Sequence, residues 1–125
     1  MLVHELASWA VAMREIDLPA RRAVSRVITD AVAAAVAGVS VGGSRAAAAA
    51  AGDVWGDGVV PIWFTGAKAS LAGAVFANAT AASILDLDDG HRAAAGHPGA
   101  AIVPAVLGAA RRASSCRRPG TSGPC

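Results

Sequence analysis

An all-α fold is predicted for this chain of 125 residues by three observations. The apolar mass, 54% of the residues, is largely alanine, with only three Trp, two Phe and no Tyr. Alanine is the best helix former, whereas strands draw on β-branched and aromatic residues. Apolar positions recur at helical spacing through several segments, and Gly, Pro, Ser and Asp punctuate them as caps and turns. The length suits one domain, and the one departure from helix that the pattern predicts is a short extended, hairpin-like connector.

In residues 2–14, Leu2, Leu6, Trp9, Val11 and Met13 fall at roughly helical spacing, with Glu5 and Arg14 on the polar side, predicting a first amphipathic helix. Asp17-Leu18-Pro19 reads as the start of a second: Asp17 can cap free amides, and Pro19 sits where its missing N–H costs nothing. This helix is expected from Pro19 to Ala37, with Gly38 as its stop. Val24, Val27, Ile28, Ala31, Val32, Ala35 and Val36 form its apolar face, and Arg21, Arg22, Ser25 and Arg26 its polar start. Asp30, an acid within the apolar stretch, is expected to bond a neighbouring Arg or a loop amide and is given no catalytic role.

Ser44 is expected to cap the alanine run Arg45 to Ala51. Residues 52–66 form a connector in which Val59, Val60, Ile62, Trp63 and Phe64 make a short extended piece, with Pro61 arguing against a central strand. Trp55, Trp63 and Phe64 read as a core aromatic cluster. From Ala67 to Leu85 the pattern is helical, with Leu71, Val75, Phe76, Ala79, Ala82 and Leu85 on one face and Gly73 permitting close helix contact. A last apolar helix spans Ala100 to Ala110.

Beyond it the character changes. Arg111, Arg112, Arg117 and Arg118 have no acid among them, and Ser, Cys, Gly and Pro take over. Residues 1–112 are therefore read as the domain and 113–125 as a frameshifted or disordered basic tail. Cys116 and Cys125 lie in that tail and can pair there without stapling the core. The net charge of +2 comes from these four arginines; the other seven bases face nine acids, leaving −2. With no basic stripe before residue 111, no nucleic-acid partner is expected. The first residues lack the pattern of a secretory signal, and no uninterrupted apolar run approaches the roughly eighteen residues of a membrane span, so a cytoplasmic location without membrane contact is expected. The charged share of 16% is low against about 25% for typical domains, which points to a partner surface.

Chemistry concentrates in residues 86–97, where Asp86, Asp88, Asp89, His91 and His97 supply three of the nine acids and two of the three histidines. Carboxylates following a helix C-terminus meet the negative end of its dipole, which points to functional placement or to neutralisation by His91, Arg92 or a partner. A calcium loop fails, because Gly90 falls at position five and His97 at position twelve. Asp88 and Asp89 lack the further acid of a magnesium–diphosphate site, since position 92 is Arg. The spacing of His91 and His97 matches no compact zinc signature, so no metal is predicted. Acid–base chemistry beside a carboxylate fits the residue types: Asp and His supply acid and base, while Arg92, charged His97 and amides near Gly96 and Gly99 attract an anion. The same residue types also suit a solvated acidic loop with structural histidines.

The order of features resembles the N-terminal part of the MmgE/PrpD family, which includes 2-methylcitrate dehydratase, cis-aconitate decarboxylase and an iminodisuccinate epimerase. The matching residues are Leu6-Ala7-Ser8-Trp9, Asp17-Leu18-Pro19, Asp30 through Gly38, and Val54-Trp55-Gly56. The most specific are Ala77-Asn78-Ala79-Thr80-Ala81-Ala82-Ser83, Leu85-Asp86-Leu87-Asp88-Asp89-Gly90-His91-Arg92, Gly96-His97-Pro98-Gly99 and Val103-Pro104-Ala105. Together they cover residues 2–112. The resemblance implies a mostly helical larger domain, a smaller lid domain further along, and a homodimer acting on a small-molecule carboxylate without metal or organic cofactor. It assigns Asp86 and His97 as catalytic and Asp89, Gly90 and His91 as substrate-binding. Two departures stand out: Ala79 where the family usually has Gly, and Ser83 where it usually has His.

Because family members are several times longer, the chain resembles an N-terminal fragment, with little or no activity expected from it alone. The implied reaction is that of a dehydratase-type lyase on a small hydroxy di- or tricarboxylic acid, by proton abstraction α to a carboxylate. Decarboxylation and epimerisation are the alternatives within the family, and a non-enzymatic helical module docking its basic tail on an acidic partner is the rival.

Overall fold

A computed structural model describes residues 2–116 as five helices with one minimal sheet. The helices are α1 (Leu2–Ala12), α2 (Leu18–Gly38), α3 (Gly42–Trp55), α4 (Leu71–Ser83) and α5 (Pro98–Cys116). Between α3 and α4, strands β1 (Val60–Pro61) and β2 (Lys68–Ala69) pair antiparallel, with Val60 opposite Ala69 and Pro61 opposite Lys68. A 3-10 turn, Arg92–Ala94, lies in the acidic loop. The all-α expectation holds, and the hairpin-like connector is this sheet.

Helix α4 is the centre of the fold, packed against α2, α3 and α5. Its buried residues, Gly73, Ala74, Ala77, Asn78, Ala81 and Ala82, recur at helical spacing and carry little bulk. One apolar cluster joins Ala51, Val60, Ile62, Ala69, Ala74 and Ala77, and a second joins Ala35, Ala81, Ala82 and Ala100 with Trp63 against it. Each buried methyl contributes only about 0.8 kcal/mol, so the bundle depends on close approach of its helices more than on large side chains. Gly38 and Gly73 are the closest points. A Cβ on Gly38 would collide with the Ala81 carbonyl, and one on Gly73 would lie 2.5 Å from the Ala51 carbonyl oxygen.

This packing keeps only part of each predicted apolar face: Ala31 and Ala35 of α2 and Ala82 of α4 are buried as expected, and Ile28, Val32, Leu71 and Val75 are half-buried. In α2 the buried residues are Ala31, Ala34, Ala35 and Gly38, while Val24, Val27 and Val36 are exposed. Phe76 in α4 is exposed, and so is Leu85, which lies beyond the end of that helix at Ser83, although the helical wheel placed both on the core face. The closest helix contacts use the alanine and glycine sides, so Val24, Val27, Val36 and Phe76 are left facing outward. Gly38 does end α2, but Val39, the capping residue, is right-handed, and the glycine serves the α2–α4 contact instead of a left-handed turn. Likewise α1 forms as expected yet buries none of its residues, leaving Leu2, Val3, Leu6, Trp9 and Val11 exposed.

The predicted caps meet mixed outcomes. Asp17 accepts a hydrogen bond from the Ala20 amide at 2.8 Å, with Pro19 in the first turn of α2. Ser44 does not cap α3: that helix starts earlier, at Gly42, after Val41, which provides no side-chain cap, and Ser44 is buried one turn in. Helix α4 starts at Leu71, after Lys68 and Ala69 are taken by β2, and is capped by Ser70, which accepts from the Gly73 amide. The expected core cluster of Trp55, Trp63 and Phe64 does not form. Trp55 stacks on Phe76 with ring centroids 4.7 Å apart, Phe64 is exposed at a positive φ of 62°, and only Trp63 joins the core.

Asn78 is the polar pin of this region. It is 2% exposed, accepts from the Trp63 amide at 2.8 Å and donates through Nδ2 to the Pro61 carbonyl at 3.1 Å. The connector is thereby fixed to α4, with its backbone groups satisfied inside the core. Helix α5 continues past the expected end at Ala110 to Cys116, and Ser114 Oγ and Ser115 Oγ donate to carbonyls one turn back. The rest of the expected tail, with the predicted pairing of Cys125, lies outside the described residues. No single described helix is long and apolar enough to cross a membrane; α2 and α3 together match one by length and composition but meet at 100°.

Candidate functional site

The acidic loop runs from the end of α4 to the start of α5, and its side chains divide into a staple and a group of His97 with two carboxylates, of which only Asp86 faces solvent. The staple is built on Asp89. Its amide donates to Asp30 Oδ2 on α2 at 2.9 Å, and its Oδ1 accepts from the Gly99 amide in the first turn of α5 at 3.0 Å. Asp89 is thus a cap supplied from outside the helix, placed where the dipole of α5 favours a carboxylate, and Pro98 starts the helix without needing a hydrogen-bond partner. A side chain at Gly99 would collide with Asp89 Oδ1, so the glycine is what admits the cap. Asp30 therefore bonds a loop amide, one of the two roles foreseen for it.

The second group centres on His97, the residue before α5. His97 Nε2 lies 3.2 Å from Asp86 Oδ1, and Nδ1 lies 3.1 Å from Asp88 Oδ1. The two acids differ sharply in environment: the Asp86 side chain is 84% exposed and that of Asp88 is 0% exposed. Asp86 adopts a positive φ of 55°, a left-handed conformation that Asp tolerates better than most residues. That turn reverses the chain after α4 and sends Asp86 back toward His97. Behind α4, Asp89 is thus met by the N-terminus of α5, and Asp86 and Asp88 are met by His97.

The predicted site residues are brought together in part. Asp86 and His97 touch. Gly90 is adjacent, since a Cβ built there would lie 3.9 Å from His97 Cε1. His91 closes the loop through its backbone, its amide donating to the Gly96 carbonyl at 2.9 Å. The Asp89 side chain is turned inward to the Gly99 amide, which it occupies; that amide is therefore not available to an anion as the sequence reading had supposed. Asp88, which the sequence places in the acidic cluster without a site role, is the acid at His97 Nδ1, and nothing in the sequence separates it from its two neighbours. At the two departures from the family pattern, the Ser83 hydroxyl donates to the Ala79 carbonyl at 2.9 Å, which spends it within α4.

Among the described residues no group of three His, Cys, Asp or Glu side chains is arranged to hold a metal ion. What the arrangement offers chemically is an imidazole flanked by two carboxylates on a loop anchored at both ends. No curated protein and no solved structure matches the chain. The model of the MmgE/PrpD N-terminal domain matches residues 4–120, which includes every residue of this loop and nearly the whole helical bundle that carries it. By that match, and by a helical architecture that ends α4 on the acidic loop and starts α5 directly after His97, the chain belongs to the MmgE/PrpD family.

Proposed function

We propose that this chain forms the N-terminal, proton-transferring part of a cofactor-independent lyase active site for a small hydroxy di- or tricarboxylic acid. The observation that carries the reading is the 3.2 Å contact between His97 Nε2 and the exposed Asp86 within the matched domain. In dehydration, His97 Nε2 takes the proton α to a carboxylate, the C–H electron pair becomes the double bond, and the hydroxyl leaves with its bonding pair, taking a proton from the His97 imidazolium to depart as water. Asp86 stabilises the imidazolium that forms, and Gly90 and His91 shape the adjoining turn. Decarboxylation or epimerisation would begin from the same groups and differ in where the electron pair goes.

We further propose that the active assembly is a homodimer in which more protein covers Leu6, Trp9, Ile102 and Val106, apolar side chains exposed here. The 125-residue chain alone is then expected to show little or no turnover of 2-methylcitrate or cis-aconitate. The reading is tested by titrating the ¹⁵N-labelled chain with these two acids and following the amides of Gly90, His91 and His97. Saturable shifts are expected, with affinity weakened about tenfold in His97→Gln through loss of a charge-assisted contact. Absence of shifts, or equal affinity in the variant, would remove the basis for the assignment.

A further inference from the structure

Asp88 is the most deeply buried charged group at the site, and the reaction outlined above makes no use of it. Its side chain is 0% exposed, and neither carboxylate oxygen has a hydrogen-bond partner. His97 Nδ1, also buried, has none either, yet it lies 3.1 Å from Asp88 Oδ1. The two atoms are thus within contact distance but set off the N–H direction. The terminal χ2 torsion of a histidine ring is soft, so rotation about it is the motion that would align this contact as a hydrogen bond. Leaving a desolvated carboxylate without a donor is costly, and Nδ1–H is the donor at hand.

From this geometry we propose that Asp88 is a positioning residue: it holds the single proton of neutral His97 on Nδ1 and so leaves Nε2 as the basic nitrogen. The inference rests on the reading of His97 as the proton-transfer group. A neutral imidazole carries one N–H, for which the two carboxylates compete. Water can solvate Asp86, which is 84% exposed, but cannot reach Asp88. Burial therefore decides the tautomer in favour of Nδ1. When Nε2 then accepts a proton, the new N–H faces Asp86 at 3.2 Å, so each acid serves one ring nitrogen. The spacing is held by the backbone staple. Asp30 grips the amide just after Asp88, and Asp89 grips the amide of Gly99, two residues beyond His97.

The test is a long-range ¹H–¹⁵N spectrum of the ring-labelled 125-residue chain, recorded at a pH where histidine is neutral, with His97→Gln identifying the His97 signals. The Nδ1–H form is expected in about tenfold excess, the size of effect that one hydrogen bond to a charged group supplies. Asp88→Asn should bring the two forms to within a few-fold of each other, whereas Asp86→Asn should leave the ratio unchanged. An Nε2–H majority in the unsubstituted chain overturns the proposal without need of any variant. So does an unchanged ratio in a folded Asp88→Asn chain, or a shift on Asp86→Asn. Because the readout involves no substrate, the two ideas fail separately. A tautomer fixed by Asp88 in a chain that binds no carboxylate would refute the lyase reading alone, and Nε2–H in a chain that binds tricarboxylates would refute this one alone.

Discussion

The carboxylate of Asp30, in α2, accepts the amide proton of Asp89 at 2.9 Å across 59 positions of sequence. It is the bond that ties the acidic loop to the opposite side of the bundle. Since Asp30 is exposed, Asp30→Ala is expected to cost about 1 kcal/mol, the usual net worth of such a bond. Amide exchange at Asp89 should quicken in the variant while that of the α4 interior stays nearly as slow as before. Unchanged exchange at Asp89 would mean the loop is held by other means.

Gly99 and Asp89 form the second half of the staple. Gly99→Ala drives a methyl into Asp89 Oδ1 and displaces the cap of α5, with an expected loss of about 1–3 kcal/mol by urea titration. Asp89→Ala removes the cap without the collision and should cost about 1 kcal/mol. Combining the two should recover part of the loss, because the colliding atom is gone. Strict additivity would show that the two positions are independent.

At Asp86 charge and backbone can be separated. Asn also tolerates the left-handed conformation, so Asp86→Asn should leave stability within about 0.5 kcal/mol while removing the charge beside His97. A β-branched residue is strained at φ 55°, and Asp86→Val should lose about 1–2 kcal/mol. If both variants melt alike, the positive φ is not a constraint at this position.

Asn78 carries the largest expected effect. Asn78→Ala strands the Trp63 amide and the Pro61 carbonyl in the core, and about 2–4 kcal/mol should be lost. Loss of Trp63 fluorescence asymmetry ahead of global unfolding would show the connector detaching first. By contrast Trp9→Ser, on a helix that buries nothing, should shift the urea midpoint by no more than about 0.5 kcal/mol equivalent.

Local chemistry by itself determined most of the elements. Alanine-rich helical segments, the Asp17 cap and the crowding of acids and histidines between two apolar helices are properties of neighbouring residues, and the structure keeps them, with Pro61 confined to a two-stranded sheet that has no central strand. The same stretch carried the family, because an ordered series of short motifs survives without knowledge of what touches what. Tertiary structure alone decided which part of each predicted face is buried. The helical wheel ranks residues by bulk, but α2 and α4 meet through alanine and glycine, since only small residues let backbones approach to carbonyl contact. It also divided three acids that look equivalent in sequence: Asp86 faces solvent, Asp89 caps α5, and Asp88 is sealed against His97. That division depends on α2 and the N-terminus of α5 arriving from distant parts of the chain, and solvent exposure, which separates the three roles, exists only once those elements have packed.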